Sequence, residues 1–402
     1  MLSFAAILLA GSLAAGAADP NALQRTPLES LKAQAEQGDP DAIFKLAVAY
    51  QRGRGVKEDD ARAAALYREA ADKGDARAMA NLGVMYSRGE GVTRDDGTAV
   101  EWYRRAAAAG SGKAMVMLGT RAAQGQGVDK DPVEALAWYR KAAGQGDETG
   151  MYLAGIALLR SDDANDRAEA HRLLRAAADK SHAPSLTALG TAHLNGTGVG
   201  RDEAEALRLF RAAAELGDAT AMANLGTAYL EGLGVARDSA EGIRWMTRAA
   251  AFDDPMAMVA LGDIHRAGVH VDADERKAFE WYERAANLGH PAAMAHVGAM
   301  YGDGKGTKKN PDKAFEWTER AARAGVAEAM LNLAAMYRDG IGTDPNQAEA
   351  YFWARAGAEK VTEPMREGAE RYARKIGEKV TFQRRLAIQK RATDFVLTHA
   401  GD

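Results

Sequence analysis

Residues 78–110 read AMANLGVMYSRGEGVTRDDGTAVEWYRRAAAAG. Ala78, Leu82 and Tyr86 are spaced by four and therefore share one stripe of a helix. Gly83, next to the leucine, costs ~1 kcal/mol relative to alanine in a helix interior. Its presence there predicts two helix backbones approaching closely, with no space for a side chain. Gly89 and Gly91 end the helix and permit positive φ in the turn that follows. A second helix then carries Trp102-Tyr103 one turn ahead of Ala106-Ala107, large residues against small ones, and Gly110 closes the unit.

The same unit recurs along the chain. New copies begin at Ala42, Ala78, Ala114, Gly150, Ser185, Ala221, Ala257, Ala293 and Ala329. All six tryptophans occupy one column (Trp102, Trp138, Trp245, Trp281, Trp317, Trp353), and Leu173 and Leu209 fill its gap. One helical hairpin cannot bury its apolar face alone; stacked on its neighbours it can. The expected fold is therefore all-α: an α-solenoid of about nine helix-turn-helix repeats over residues 40–360. The copy at 150–184 is degenerate: Ser161-Asp162-Asp163 replaces its glycine pair, and it has no tryptophan. A shortened unit predicts an altered twist there, dividing the array into segments 40–149 and 185–360.

The pattern A-x-x-x-L-G-x-x-Y-x-x-G-x-G-V followed by A-x-x-W-Y-x-x-A-A-x-x-G resembles the Sel1-like repeat, a relative of the tetratricopeptide repeat with longer loops. Residues 78–110, 221–250 and 293–325 fit it closely. The resemblance implies right-handed superhelical stacking and an adaptor or scaffold role in protein complexes. It implies no reaction.

Two ends flank the array. Leu2 to Ala15 form an apolar run too short to span a bilayer, and Ala15-Gly16-Ala17 offers a small-x-small cleavage pattern, so residues 1–17 read as a signal peptide. Residues 27–39 read as an N-terminal capping helix. Residues 361–402 read as C-terminal capping helices, over 363–376 and 381–398. The stretch 360–391 holds ten Lys/Arg against four Glu, which suits a solvated cap or, alternatively, an acidic partner. Over the whole chain of 402 residues the net charge is only −4, which leaves no nucleic-acid footprint. The absence of cysteine excludes a thiol nucleophile, a Cys-ligated zinc and a lipoprotein anchor. A periplasmic or secreted location follows from the signal peptide.

No residues form a recognisable catalytic, cofactor or metal constellation. His193 and His265 replace the repeat's tyrosine and read as packing residues. His265, His270, Asp272 and Asp274 lack the spacing of a helix-face metal pair. The recurring Gly-x-Gly-Val follows no strand, so a phosphate cradle is not expected. The variable columns of the first helix are more telling. One contains Arg52, Arg88, Gln124, Arg160, Asn195, Glu231, Ala267, Asp303 and Asp339, basic towards the N-terminus and acidic towards the C-terminus. Such a gradient suits orientation of a ligand, with drift at an exposed site as the plainer reading. A second column holds Asn81, Asn224 and Asn332, with Lys45 and His296. An amide offers donor and acceptor to a bound chain, or else satisfies a neighbouring loop. The expected function is thus a non-enzymatic protein-interaction scaffold in the bacterial envelope, binding a protein or peptide on its concave face. The alternative is a module for a small envelope ligand such as a peptidoglycan fragment or peptide.

Overall fold

The computed structural model describes residues 28–398, and the proposed signal peptide lies outside them. The described residues form twenty-one helices and no strand. Residues Leu28–Glu36 make the capping helix α1. Each repeat then contributes a pair of helices. In the first half these are α2 (Pro40–Arg52) and α3 (Asp60–Asp72), α4 (Ala76–Arg88) and α5 (Asp96–Ala108), α6 (Gly112–Gln124) and α7 (Pro132–Gly144), and α8 (Glu148–Leu159) and α9 (Ala164–Ala178). They are followed by α10 (Ala183–Asn195) and α11 (Glu203–Glu215), α12 (Ala219–Glu231) and α13 (Ser239–Ala251), and α14 (Pro255–Ala267) and α15 (Glu275–Asn287). The last repeats are α16 (Pro291–Asp303) with α17 (Pro311–Arg323), and α18 (Ala327–Asp339) with α19 (Gln347–Lys360). Helices α20 (Met365–Gly377) and α21 (Phe382–Thr398) complete the chain. The helices divide into two compact units, with the boundary between Leu209 and Phe210 inside α11.

In the first unit an apolar cluster runs from Leu31 on α1 to Ala154 on α8, so each repeat shares its core with the next. The glycine beside the leucine has a direct cause. A Cβ on Gly83 would lie 2.6 Å from the Tyr103 ring, and one on Gly119 would lie 2.5 Å from the Tyr139 ring and 3.0 Å from the Ala135 carbonyl oxygen. The approach is thus between a first-helix backbone and the bulky residue of the partner helix, with backbone close behind.

The second glycine of each turn stitches repeats together. Gly91 has φ +66°, and a Cβ there would sit 2.2 Å from the Asp60 carbonyl oxygen of the preceding repeat. Gly127 meets Asp96 in the same way. The second unit repeats the device with Gly306 against Glu275 and Gly342 against Pro311. His270 takes this position in its own copy at φ +73°, and its Nδ1 lies 3.0 Å from Ser239 Oγ. Most helices of the array begin on an Asp, Asn or Ser whose side chain accepts a backbone N–H, as Asp75 does from Arg77 and Ala78.

The degenerate copy departs from this frame. Its first helix has 12 residues and its second 15. Helix α8 comes closer to α6 and α10 than the first helices of other neighbouring repeats come to one another. In the second unit α20 and α21 both pack on α19. Phe395 sets its ring edge-on to Phe352 at 5.9 Å and to Trp353 at 5.4 Å, and Gln389 donates to the Tyr351 hydroxyl at 2.9 Å. Arg391 is ion-paired to Glu349 and lies 3.9 Å above the Phe352 ring. The C-terminal helices therefore cap the last repeat.

Candidate functional site

In the first unit Asn81 lies beside a buried tyrosine of the preceding repeat. Tyr67 is fully buried on α3, and its hydroxyl donates to Gln51 Oε1 at 2.8 Å. Burial pushes this phenol up to about 12, and Asn81 of the next repeat lies within hydrogen-bonding reach of it. His296 holds the equivalent place in the second unit. It stacks on Tyr282 at 4.6 Å, while the Tyr282 hydroxyl donates to Asp263 at 2.7 Å and accepts from Arg266 Nε at 3.1 Å. Asn81 is thus partly committed to the frame. Asn224 is half-buried and Asn332 exposed, and Phe210 and Thr318 stand at the register of the tyrosine. Lys45 is ion-paired to Asp41 at 2.6 Å.

The charged column falls at the last residue of each first helix, or one beyond it for Arg160. That end of a helix carries partial negative charge, so Arg52 and Arg88 gain there while an acidic residue loses. Two of the three acidic members have a basic neighbour. Asp339 pairs with Arg338 at 2.5 Å, and Asp303 lies 4.0 Å from Lys305. Glu231 is exposed. The basic members lie in the first unit and the acidic members in the second. Within the first unit Arg52 and Arg88 act on a common neighbour, Lys113. Its ammonium is held below the usual lysine value by burial and then by the like charges of Arg52 and Arg88. Arg88 keeps a loose pair with Glu90 at 3.4 Å, and Arg52 has no carboxylate partner among the described residues. Three consecutive first helices therefore contribute to one basic cluster. Lys113 escaped the sequence reading because it belongs to another column, with Asp41 and Arg77, at the opposite end of the helix.

Arg160 belongs elsewhere. Because the degenerate copy lacks the glycine turn, Gly198 of the next copy meets a side chain and not a backbone. A Cβ there would approach Arg167 Cβ at 3.0 Å and His171 Nε2 at 3.1 Å. His171 Nε2 lies 2.9 Å from the Thr197 carbonyl oxygen and donates to it. An open cleft of about 670 Å³ results, lined by Arg160, Ser161, Asp162, Arg167 and the Gly196–Gly200 loop among others. Arg167 donates one guanidinium N–H to the Ser161 carbonyl at 2.8 Å, and the neighbouring Arg160 is exposed.

The His265, His270, Asp272 and Asp274 group is not assembled around a common point. Asp274 caps α15 through the Lys277 N–H, and His270 faces Ser239. Among the described residues no three His, Asp or Glu side chains are grouped as metal ligands. No helix among them is long and apolar enough to cross a membrane.

The family model described as Sel1 repeat matches residues 40–75, 76–111, 112–147, 149–182, 183–218, 219–251, 255–290, 291–326 and 327–360. Among solved structures, a Sel1 repeat protein from Oxalobacter formigenes is 30% identical at a TM-score of 0.58, with 77% of this chain and 90% of that one covered. The protective antigen c5321 of uropathogenic Escherichia coli, which displays the same class of repeat fold, is 26% identical at a TM-score of 0.51. That match covers 93% of this chain and 88% of the antigen. No curated protein matches.

Proposed function

Because the chain belongs to the Sel1 repeat family, whose repeats generally mediate protein–protein interaction, we propose that it is a non-enzymatic scaffold of the bacterial envelope. Its partner is a protein or peptide held on the first-helix side of the repeats. The periplasmic or secreted location rests on the reading of residues 1–17 as a signal peptide.

The observation that carries the reading is the cluster of Arg52, Arg88 and Lys113 on three consecutive first helices. Arg52 and Arg88 are exposed at the ends of α2 and α4, and the half-buried Lys113 at the start of α6 lies within the field of both. Arg88 is only loosely paired with Glu90 and Arg52 has no carboxylate partner among the described residues, so both can steer and orient an acidic segment. Asn81, partly committed to Tyr67, lies on the same helix as Arg88 and is a further candidate contact. Glu231, Asp303, Asp339, Asn224 and Asn332 provide the corresponding candidate contacts in the second unit. The basic C-terminal helices are engaged in capping through Arg391 and Gln389, and an acidic partner there would meet the remaining cations.

The test is affinity capture from envelope extract, followed by calorimetry on the captured partner with the Arg52→Glu/Arg88→Glu chain. Affinity should fall at least ten-fold at low salt and much less at 0.5 M salt. An unchanged affinity would remove the cluster from the interface. The cleft beside Arg160 favours a second reading, a small anionic envelope ligand. A rise in melting temperature with peptidoglycan fragments, lost in Arg160→Ala/Arg167→Ala, would support that reading.

A further inference from the structure

Just beyond the end of every second helix but α19, where the buried Val361 stands in extended backbone, an exposed residue directly precedes a left-handed one. The first unit fills this register with Gln37, Lys73, Ala109, Gln145 and Lys180, all exposed. In the second unit three consecutive copies place Leu216, Phe252 and Leu288 there, ahead of Gly217, Asp253 and Gly289 at φ +90°, +57° and +91°. These three side chains are 51%, 58% and 49% exposed, and Met256, the second residue of α14, is 51% exposed. They extend from repeat to repeat. The Phe252 ring lies 3.9 Å from the place of a Cβ on Gly217, and Met256 Sδ lies 3.2 Å from His290 Nε2 of the following repeat.

A row of large apolar groups in a register that elsewhere in the array takes lysine, glutamine or alanine gains little from the fold and costs solubility. Its borders are acidic. Glu215 and Asp253 are exposed and form no ion pair among the described residues, and Asp254 caps α14. Nearby cations are already engaged: Arg248 lies over Trp245 at 4.4 Å, and Arg284 lies over Trp281 and donates to the Ala250 carbonyl. We propose that Leu216, Phe252, Met256 and Leu288 form a docking strip for an amphipathic protein segment whose apolar face is flanked by Lys or Arg. The apolar groups fill the face, and Glu215 and Asp253 meet the cations. This strip is separate from the basic cluster of the first unit and takes a partner of opposite charge.

The probe is a fluorescein-labelled, 18-residue synthetic helix with one leucine face and lysines on the other, compared with a shuffled peptide of the same composition. The full chain should bind the ordered peptide at least ten-fold tighter than the shuffled one. Leu216→Gln/Phe252→Lys/Leu288→Lys, which installs the residue types of the first unit, should erase that difference, as should Phe252→Lys in larger part. Arg52→Glu/Arg88→Glu should leave it intact. Equal binding of both peptides by the unaltered chain, or a preserved difference in a triple variant with unchanged melting temperature, would overturn the proposal. Sedimentation showing a dimer of the chain that the triple variant loses would assign the strip to a second copy and overturn the foreign segment.

Discussion

The Tyr103 ring occupies the volume that a side chain on Gly83 would need, with its Cε1 2.6 Å from the position of that Cβ. Gly83→Ala should gain ~1 kcal/mol of helix propensity and lose more than that to overpacking, typically 1–3 kcal/mol. The net effect is a lowered denaturation midpoint. Combining it with Tyr103→Leu should cost less than the sum of the single changes, since the two residues share one space. Gly144→Ala is the contrast: a Cβ there meets nothing within 4 Å, so that change should stabilise. If Gly83→Ala and Gly144→Ala behave alike in urea unfolding, the ring is not what demands glycine at 83.

The glycine turns permit a similar separation of causes. Gly91 and Gly74 both have positive φ, +66° and +93°, but a Cβ on Gly74 meets nothing, whereas one on Gly91 strikes Asp60 backbone of the preceding repeat. Alanine at either site carries the left-handed strain of roughly 1–2 kcal/mol. Gly91→Ala should cost at least about 1 kcal/mol more, because repeats must part to admit it. Thermal unfolding of the two variants side by side measures the difference. Equal melting temperatures would show that this turn does not couple repeats.

Periodic residues were readable from the sequence because every copy solves one packing problem. The glycine beside leucine signals a close approach between the two helices of a repeat, which the structure places against the tyrosine ring, and the Ala pair admits the next repeat, as Ala142 does Gly150. What was hidden depends on distances the period does not encode. Lys113 joins Arg52 and Arg88 only through the stacking of three repeats, from a different column. Asn81 looked like a ligand contact, yet the buried Tyr67 hydroxyl already lies beside it. Leu216, Phe252 and Leu288 carry no outward signal in the sequence, because large apolar residues in a helical array suggest core, and only their exposure in the structure shows that they face out.

The cap at the end of the chain makes a third prediction. Trp353 is 3% exposed and sits against Phe395 at 5.4 Å. Phe395→Ala should cost about 2 kcal/mol, below the range for a fully buried phenylalanine because this ring is only half-buried. Stability in repeat arrays is carried by neighbour interfaces, so loss should be felt first in α19 to α21. Amide exchange in those helices should accelerate while α2 to α5 stay protected. Uniform acceleration along the chain would contradict a local cap.

Acid should weaken the second unit through its histidines. His265, His290 and His296 are all held below the usual imidazole value, in each case chiefly by burial. His290 shows the structural reason for a neutral ring. Its Nδ1 accepts the Ala293 N–H at 3.2 Å as the cap of α16, which a proton on that nitrogen would abolish. His296 lies against Tyr282, with Asp263, Arg266 and Glu328 in its field and burial outweighing the carboxylates. A group whose folded value lies below its unfolded value binds more protons when unfolded. Its contribution is therefore complete above about pH 6.5 and is lost as the pH falls below that. Melting temperature should drop between pH 7 and pH 5.5, by roughly 2–4 °C for each kcal/mol lost in a unit of this size. His290→Asn keeps a side-chain cap without a titrating group, and together with His296→Asn it should flatten the slope. An unchanged slope in that double variant would place the acid sensitivity outside these two rings.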